Sequence, residues 1–299
     1  ALGGCLGTNC KVLGGYDFVN DDEDPIDDHG HGTHVSGIIA SNDTTYVGVA
    51  PNISLIAIKA LDSSGGGSTS DVVSGIDWCV NNATIFNIGV ISISLGASLN
   101  ATSYCDSSYT SYRDSINSAV ANDIIVSVAS GNDGNSTGIS VPACIQNSTT
   151  VSSTDKDDLI SSFSNRNSLV DLLAPGGNIT STSYTGGTES RSGTSMSAPH
   201  VSGVIALLKQ FFRLESGGNL TVSEVENNLS DNGLSVNDTG GEGLIFKRVN
   251  IYDSIVALDL FGPRFEIDLS NDTLELNQDN QTINVTFVDS FLDSSLANI

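Results

Sequence analysis

The sequence predicts an α/β domain, with a mainly parallel sheet covered by helices on both faces. Two observations carry that expectation. Short strand-like runs alternate along the chain with longer helical ones, the order that parallel strands joined by crossover helices require. Each short run is also nearly continuous in apolar residues, as strands covered on both faces are. A third observation bounds the domain: the segments Phe265-Glu266-Ile267-Asp268-Leu269, Leu274-Glu275-Leu276 and Thr282-Ile283-Asn284-Val285-Thr286-Phe287 alternate apolar with polar residues, and no helical period returns. Residues 1–258 therefore read as the α/β domain, and 259–299 as the cut beginning of a small β-sandwich module.

From the N-terminus, a strand at 12–19 runs into an acidic loop, and a helix at 31–41 follows, opened by the glycine-flanked His31. A strand at 53–60 and the turn Gly65-Gly66-Gly67 precede a helix at 70–81. The strand at 89–94 ends in Ser94-Leu95-Gly96; a helix at 111–122 leads to a buried strand at 124–129, which runs into Ala129-Ser130-Gly131 and then Asn132. Strands at 149–153 and 169–173 come next. The helix at 194–212 is the most clearly marked, because Val201, Val204, Ile205, Leu207, Leu208, Phe211 and Phe212 fall largely on one face. A helix at 222–228 completes the set.

The formal net charge is -24, and its unusual component is the scarcity of Lys and Arg, 11 against 35 Asp and Glu. With no basic stripe to release counterions, the chain is not expected to bind nucleic acid or anionic membranes. No apolar run approaches the roughly 20 residues of a membrane span. Sequons at Asn42, Asn82, Asn100, Asn147, Asn178, Asn228 and Asn284 fit a secreted glycoprotein. Of five cysteines, Cys5 and Cys10 bracket a short loop suited to a local disulfide, and Cys79 and Cys105 are candidates for a second, leaving Cys144 free.

The chemistry gathers at the ends of regular elements. The turn Gly193-Thr194-Ser195-Met196-Ser197-Ala198-Pro199 opens the 194–212 helix, so Ser195 lies at the positive end of the helix dipole beside unpaired N–H groups. A nucleophilic hydroxyl gains there, because its own N–H can meet the oxyanion that attack creates. The same turn could equally be an ordinary Ser/Thr cap with a tolerated proline. His31 stands between glycines at the mouth of another helix. Asn132 ends a buried strand, where it could also serve only a tight Asn-Asp-Gly turn.

In the chain order His, Asn, Ser, these three segments resemble the subtilisin-like serine proteases, the subtilases, over roughly residues 1 to 258. The resemblance implies a three-layer α/β/α fold and a secreted endopeptidase that cleaves polypeptides through an acyl-enzyme. It implies His31 as general base, Ser195 as nucleophile and Asn132 as oxyanion donor. It further implies that Ser94, Leu95 and Gly96 pair with an extended substrate, with Leu95 lining the P1 pocket, Gly65, Gly66 and Gly67 on the opposite rim, and Ala129, Ser130 and Gly131 as the other pocket wall. No carboxylate has a place at the pocket floor, so a broad, mostly apolar P1 preference is expected. A propeptide removed on maturation, a monomeric enzyme and a cis Val141–Pro142 bond belong to the same set of expectations.

Asp17, Asp22 and Asp24 fall on the ligating positions of a loop that resembles the calcium loop of the thermitase branch; the competing reading is a solvated acidic face. The third triad member is missing from the pattern. The family places an Asp about thirty residues before the His, which here falls ahead of Ala1. The Asp-Thr-Gly at Asp238 stands in the wrong chain order. The residues 1–299 are therefore expected to be an N-terminally truncated peptidase, nearly inactive alone. The alternative is a binding or scaffold protein that kept the fold and lost the acid.

Overall fold

In a computed structural model, residues 2–259 are described in full, together with the backbone of three later strands. The chain begins with β1 (Val12–Asp17), α1 (His31–Ala40), β2 (Leu55–Lys59), α2 (Thr69–Asn81), a short α3 (Ala83–Phe86), β3 (Val90–Ile93) and β4 (Ala97–Ala101). Next come α4 (Thr110–Ala121), β5 (Ile125–Ala129), β6 (Ile139–Val141), β7 (Thr149–Thr154), β8 (Leu172–Pro175), β9 (Ile179–Thr182) and β10 (Thr188–Arg191). They lead into α5 (Thr194–Ser216), α6 (Val222–Asn232), β11 (Leu234–Asn237), β12 (Ile245–Arg248) and α7 (Ile251–Leu258).

The central sheet has six strands in the order β11-β12-β8-β7-β5-β3. All neighbours in it are parallel except β11, which pairs antiparallel with β12. A separate parallel pair joins β1 to β2. β5 shows how the sheet divides the core. Its side chains alternate, so Val126 and Val128 join Ile76 of α2 and Ile116 of α4 on one face. Ile125 and Ala129 join Ala198, Val201, Ile205 and Leu208 of α5 on the other. The expected α/β architecture, a mainly parallel sheet flanked by helices, is the one observed.

Helix ends differ from the expected ones where capping decides. α5 runs on to Ser216 and stops at Gly217, whose φ of 71° suits a residue without Cβ. α6 extends to Asn232 from a capping box formed by Thr221 and Glu224. The hairpin of β9 and β10 carries no apolar alternation that would announce it. Its role is polar: the hydroxyls of Ser181 and Thr182 donate to the carbonyls of His34 and Thr33, tying the hairpin to α1. The peptide between Val141 and Pro142 is cis, as expected. The alternating segments after residue 260 form a three-stranded antiparallel sheet of β13 (Phe265–Asp268), β14 (Thr273–Gln278) and β15 (Gln281–Thr286). The expected sandwich itself lies outside the described residues.

Cys5 and Cys10 are bridged, but the second disulfide joins Cys105 to Cys144, and Cys79 is the free thiol. Cys79 is buried on α2, and burial pushes its thiol up to about 12. Cys105 instead lies against Cys144, with its N–H on the Cys144 carbonyl at 2.9 Å. The two are 39 positions apart. Closing a loop of that size removes enough chain entropy to stabilise the fold by about 4 kcal/mol. The double variant Cys105→Ser/Cys144→Ser should lose about 2–4 kcal/mol in urea unfolding; a midpoint unchanged from the wild type would contradict this.

Candidate active site

The N-terminus of α5 is built by contacts from three distant segments. Gly193 precedes it with φ 156° and ψ 159°. The Thr194 N–H and hydroxyl both donate to Oδ1 of Asn132, at 2.8 and 3.0 Å, and the Gly131 N–H donates to the Thr194 hydroxyl at 3.2 Å. These bonds occupy the carbonyl end of the Asn132 amide. Its Nδ2 has no acceptor among the described residues and lies close to Gly193, as does the Ser195 N–H: a Cβ built on Gly193 would stand 3.5 Å from the first and 3.7 Å from the second. Two free donors therefore meet around one glycine. Asn165, almost fully buried, braces this loop through the N–H groups of Asp133 and Asn135.

His31 is the first residue of α1. The turn into this helix, whose N-cap is Gly30, is braced by Asp27, which sequence reasoning left within the acidic loop. Asp27 Oδ1 accepts the N–H groups of His29 and Gly30, and its Oδ2 accepts the N–H and hydroxyl of Thr33. Partial burial opposes the Asp27 charge, but the Thr33 hydroxyl and these N–H donors outweigh it and hold the carboxyl below its ordinary range. Arg191, just before the α5 turn, stands beside the Gly30 cap, since a Cβ on Gly30 would lie 3.3 Å from its guanidinium. Burial, then the charge of Arg191 and the neighbouring histidines, lower the His31 imidazole to about 4, with Asp27 acting the other way. His31 is thus neutral and able to accept a proton near neutral pH. Among the described residues no carboxylate is hydrogen-bonded to it. Asp238 is committed elsewhere, 3.0 Å from Arg166 in a buried ion pair.

The half-buried Ser195 donates its hydroxyl to the carbonyl of Ser94 at 3.0 Å, not to His31. Leu95 is half-buried and packs on the core; Gly96 lies against the Val141 carbonyl, where a Cβ would approach to 2.7 Å. Ala129 and Ser130 are buried, and the Ser130 hydroxyl is spent on the Asn165 carbonyl. Gly65 follows the tight turn built on Asp62 and takes a φ of 79°, with the His29 ring against it. His29 in turn lies 6.4 Å, ring to ring, from His31. The glycine rim and the histidine are thus neighbours in space.

Residues 9–243 match the profile of the Subtilase family, Peptidase S8. The chain belongs to that family. Subtilisin DY of Bacillus licheniformis is 38% identical over 245 residues, covering 80% of this chain and 83% of that protein. Thermitase of Thermoactinomyces vulgaris is 38% identical, covering 75% and 76%. Among solved structures, a cold adapted subtilisin-like serine proteinase superposes with a TM-score of 0.67 at 34% identity, covering 83% of this chain and 81% of that one. Other relatives are longer, and this subtilase spans as little as 37% of them.

Structural calcium is common in subtilases, but the acidic loop of this one does not assemble the expected site. Among the described residues no group of three or more His, Cys, Asp or Glu is placed to hold a metal. Asp17 is buried, and its Oδ1 accepts the N–H groups of Val19 and Asn20 while its Oδ2 accepts the Asn20 amide. The ammonium of Lys59 lies 3.4 Å from Asp17 and 3.5 Å from Asp28. Asp22 spends an oxygen on the Asp24 N–H, and both are exposed. A protein cation stands beside Asp17, where the sequence suggested a metal. No described helix is long and apolar enough to cross a membrane.

Proposed function

We propose that this subtilase is a secreted serine endopeptidase in which Ser195 is the nucleophile, His31 the general base and Asn132, with the Ser195 N–H, the oxyanion site. One observation supports this above the others: the Asn132 amide is anchored by its oxygen on Thr194, which leaves its Nδ2 free beside the Ser195 N–H. Such donors stay idle in the ground state and strengthen as charge develops on the substrate oxygen. In the reaction, the Ser195 Oγ–H bond breaks as Oγ joins the scissile carbonyl carbon, and the proton passes to His31. The tetrahedral oxyanion collapses, the C–N bond breaks, and the leaving amine takes the proton back from His31. Water then repeats the sequence to release the acid product.

His31 lacks an orienting carboxylate among the described residues, so in this reading the acid comes from a segment preceding Ala1. Among the described residues β2 pairs only with β1, and β3 only with β5, so each leaves one edge without a strand partner. The substrates are polypeptides, read along Ser94–Gly96 and the Gly65–Gly67 rim, with a mostly apolar P1 side chain. The test is Asn132→Ala in the protein carrying its upstream segment. Loss of one such donor should lower kcat on a peptide anilide by about 10²–10³ with KM little changed. A kcat within threefold of the wild type would overturn the oxyanion role. A wild type without hydrolysis, but binding peptides along the same groove, would leave the scaffold reading.

A further inference from the structure

Pro199 is the sixth residue of α5, and it brings no N–H. In an α-helix that N–H would bond the carbonyl four residues back, which here is the carbonyl of Ser195. The proline ring also crowds that oxygen, so the backbone of the nucleophile loses its intrahelical partner at the residue where position matters most. The structure supplies a replacement from another layer. The hydroxyl of Ser94, a buried residue just past β3, donates to the Ser195 carbonyl at 2.8 Å. The Ser94 carbonyl accepts the Ser195 hydroxyl in return. Two residues 101 positions apart thus hold each other by reciprocal bonds.

We propose that Ser94 is a positioning residue for the nucleophile: its hydroxyl replaces the hydrogen bond that Pro199 cannot make and so fixes the Ser195 backbone in the first turn of α5. This rests on Ser195 being the nucleophile. The Ser195 Cα carries the reacting Oγ, the oxyanion-site N–H and the pinned carbonyl, so rotation about one of these displaces the other two. A residue whose backbone was expected only to pair with substrate therefore has a second task, carried by its side chain. The Ser94 carbonyl meanwhile accepts the Ser195 hydroxyl at 3.0 Å.

Ser94→Ala deletes the side-chain bond and leaves the Ser94 carbonyl in place. Pro199→Ala restores an N–H to the helix. In the protein with its upstream segment, Ser94→Ala should lower kcat about tenfold, as an unmet buried acceptor would, with KM changed less than twofold. In the Pro199→Ala background the same substitution should cost less than threefold. Ser94→Thr, which keeps the hydroxyl, should recover most of the kcat that Ser94→Ala loses. Thermal unfolding of the wild type, Ser94→Ala, Pro199→Ala and their double variant should show the same coupling, because the Ser94→Ala drop in Tm should shrink once residue 199 carries an N–H. Equal losses in both backgrounds, in kcat or in Tm, would overturn the proposal, as would a loss confined to KM. Coupling in Tm with kcat untouched would overturn the positioning role while leaving the bond. Failure of the underlying reading is separately visible, as a wild type that hydrolyses nothing.

Discussion

Replacing His31 by alanine, in the protein carrying its upstream segment, is expected to lower kcat on peptide substrates by about 10⁶-fold. The serine hydroxyl is a poor nucleophile while it keeps its proton, and two of the other histidines among the described residues are engaged elsewhere. His34 spends Nε2 on the Glu189 carbonyl, and His200 spends Nδ1 on the Met196 carbonyl. In the proposed mechanism His31 and Ser195 act as one unit, so the double variant His31→Ala/Ser195→Ala should be no slower than either single one. The pH profile should carry the same signature. A base works only when neutral, so activity falls as pH drops through the His31 pKa. That pKa is about 4 without a carboxylate partner. With the upstream acid present, the acid limb of kcat/KM should lie above this value, and replacing that acid by Asn should move the limb of the residual activity down towards it. A loss below about 10²-fold on His31→Ala would remove His31 as the base.

Lys59→Met is expected to cost about 3–5 kcal/mol of stability at neutral pH. The Lys59 and Asp17 side chains are 8% and 2% exposed, so removing the ammonium leaves a carboxylate with neither water nor a counter-charge. Burial opposes the charge on Asp17, but the Asn20 and Val19 donors and Lys59 outweigh it and hold the carboxyl below its ordinary value. A carboxylate whose folded pKa is depressed adds stability above its unfolded pKa and loses it as pH falls through the folded one. The Lys59→Met penalty should therefore shrink in acid, where Asp17 takes up a proton. Urea unfolding at two pH values checks both points. Because a protein cation serves Asp17, a chelator should leave the wild-type Tm in place on account of this loop. A penalty under 1 kcal/mol, or a chelator-induced fall in Tm that Asp17→Asn abolishes, would return the loop to calcium.

Much of the fold was legible because periodicity reports burial. The runs that became β5 and α5 are apolar on the faces the core needs, and they were read within a few residues of their ends. The β9–β10 hairpin was not legible, since its bonds to α1 are made by serine and threonine hydroxyls that leave no periodic trace. The candidate site divides in the same way. His31, Asn132 and Ser195 stood out because each is set among glycines or small residues at the end of an element. Asp27 was hidden in an acidic run, though an Asp three residues before a helix-opening Gly is a local turn signal that could have singled it out. The neutralisation of Asp17 by Lys59 and the pairing of Cys105 with Cys144 are tertiary facts. They depend on which strand or turn lies alongside, and a single chain's spacing does not encode that.

The central claim is that Ser195 is a nucleophile activated by His31. A fluorophosphonate probe, applied to the protein with its upstream segment and followed by peptide mapping, tests it most directly. The account predicts one adduct, on Ser195, that is lost in Ser195→Ala and formed far more slowly in His31→Ala. Labelling that survives Ser195→Ala at the wild-type rate, or a wild type that never labels while hydrolysing peptides, would contradict it.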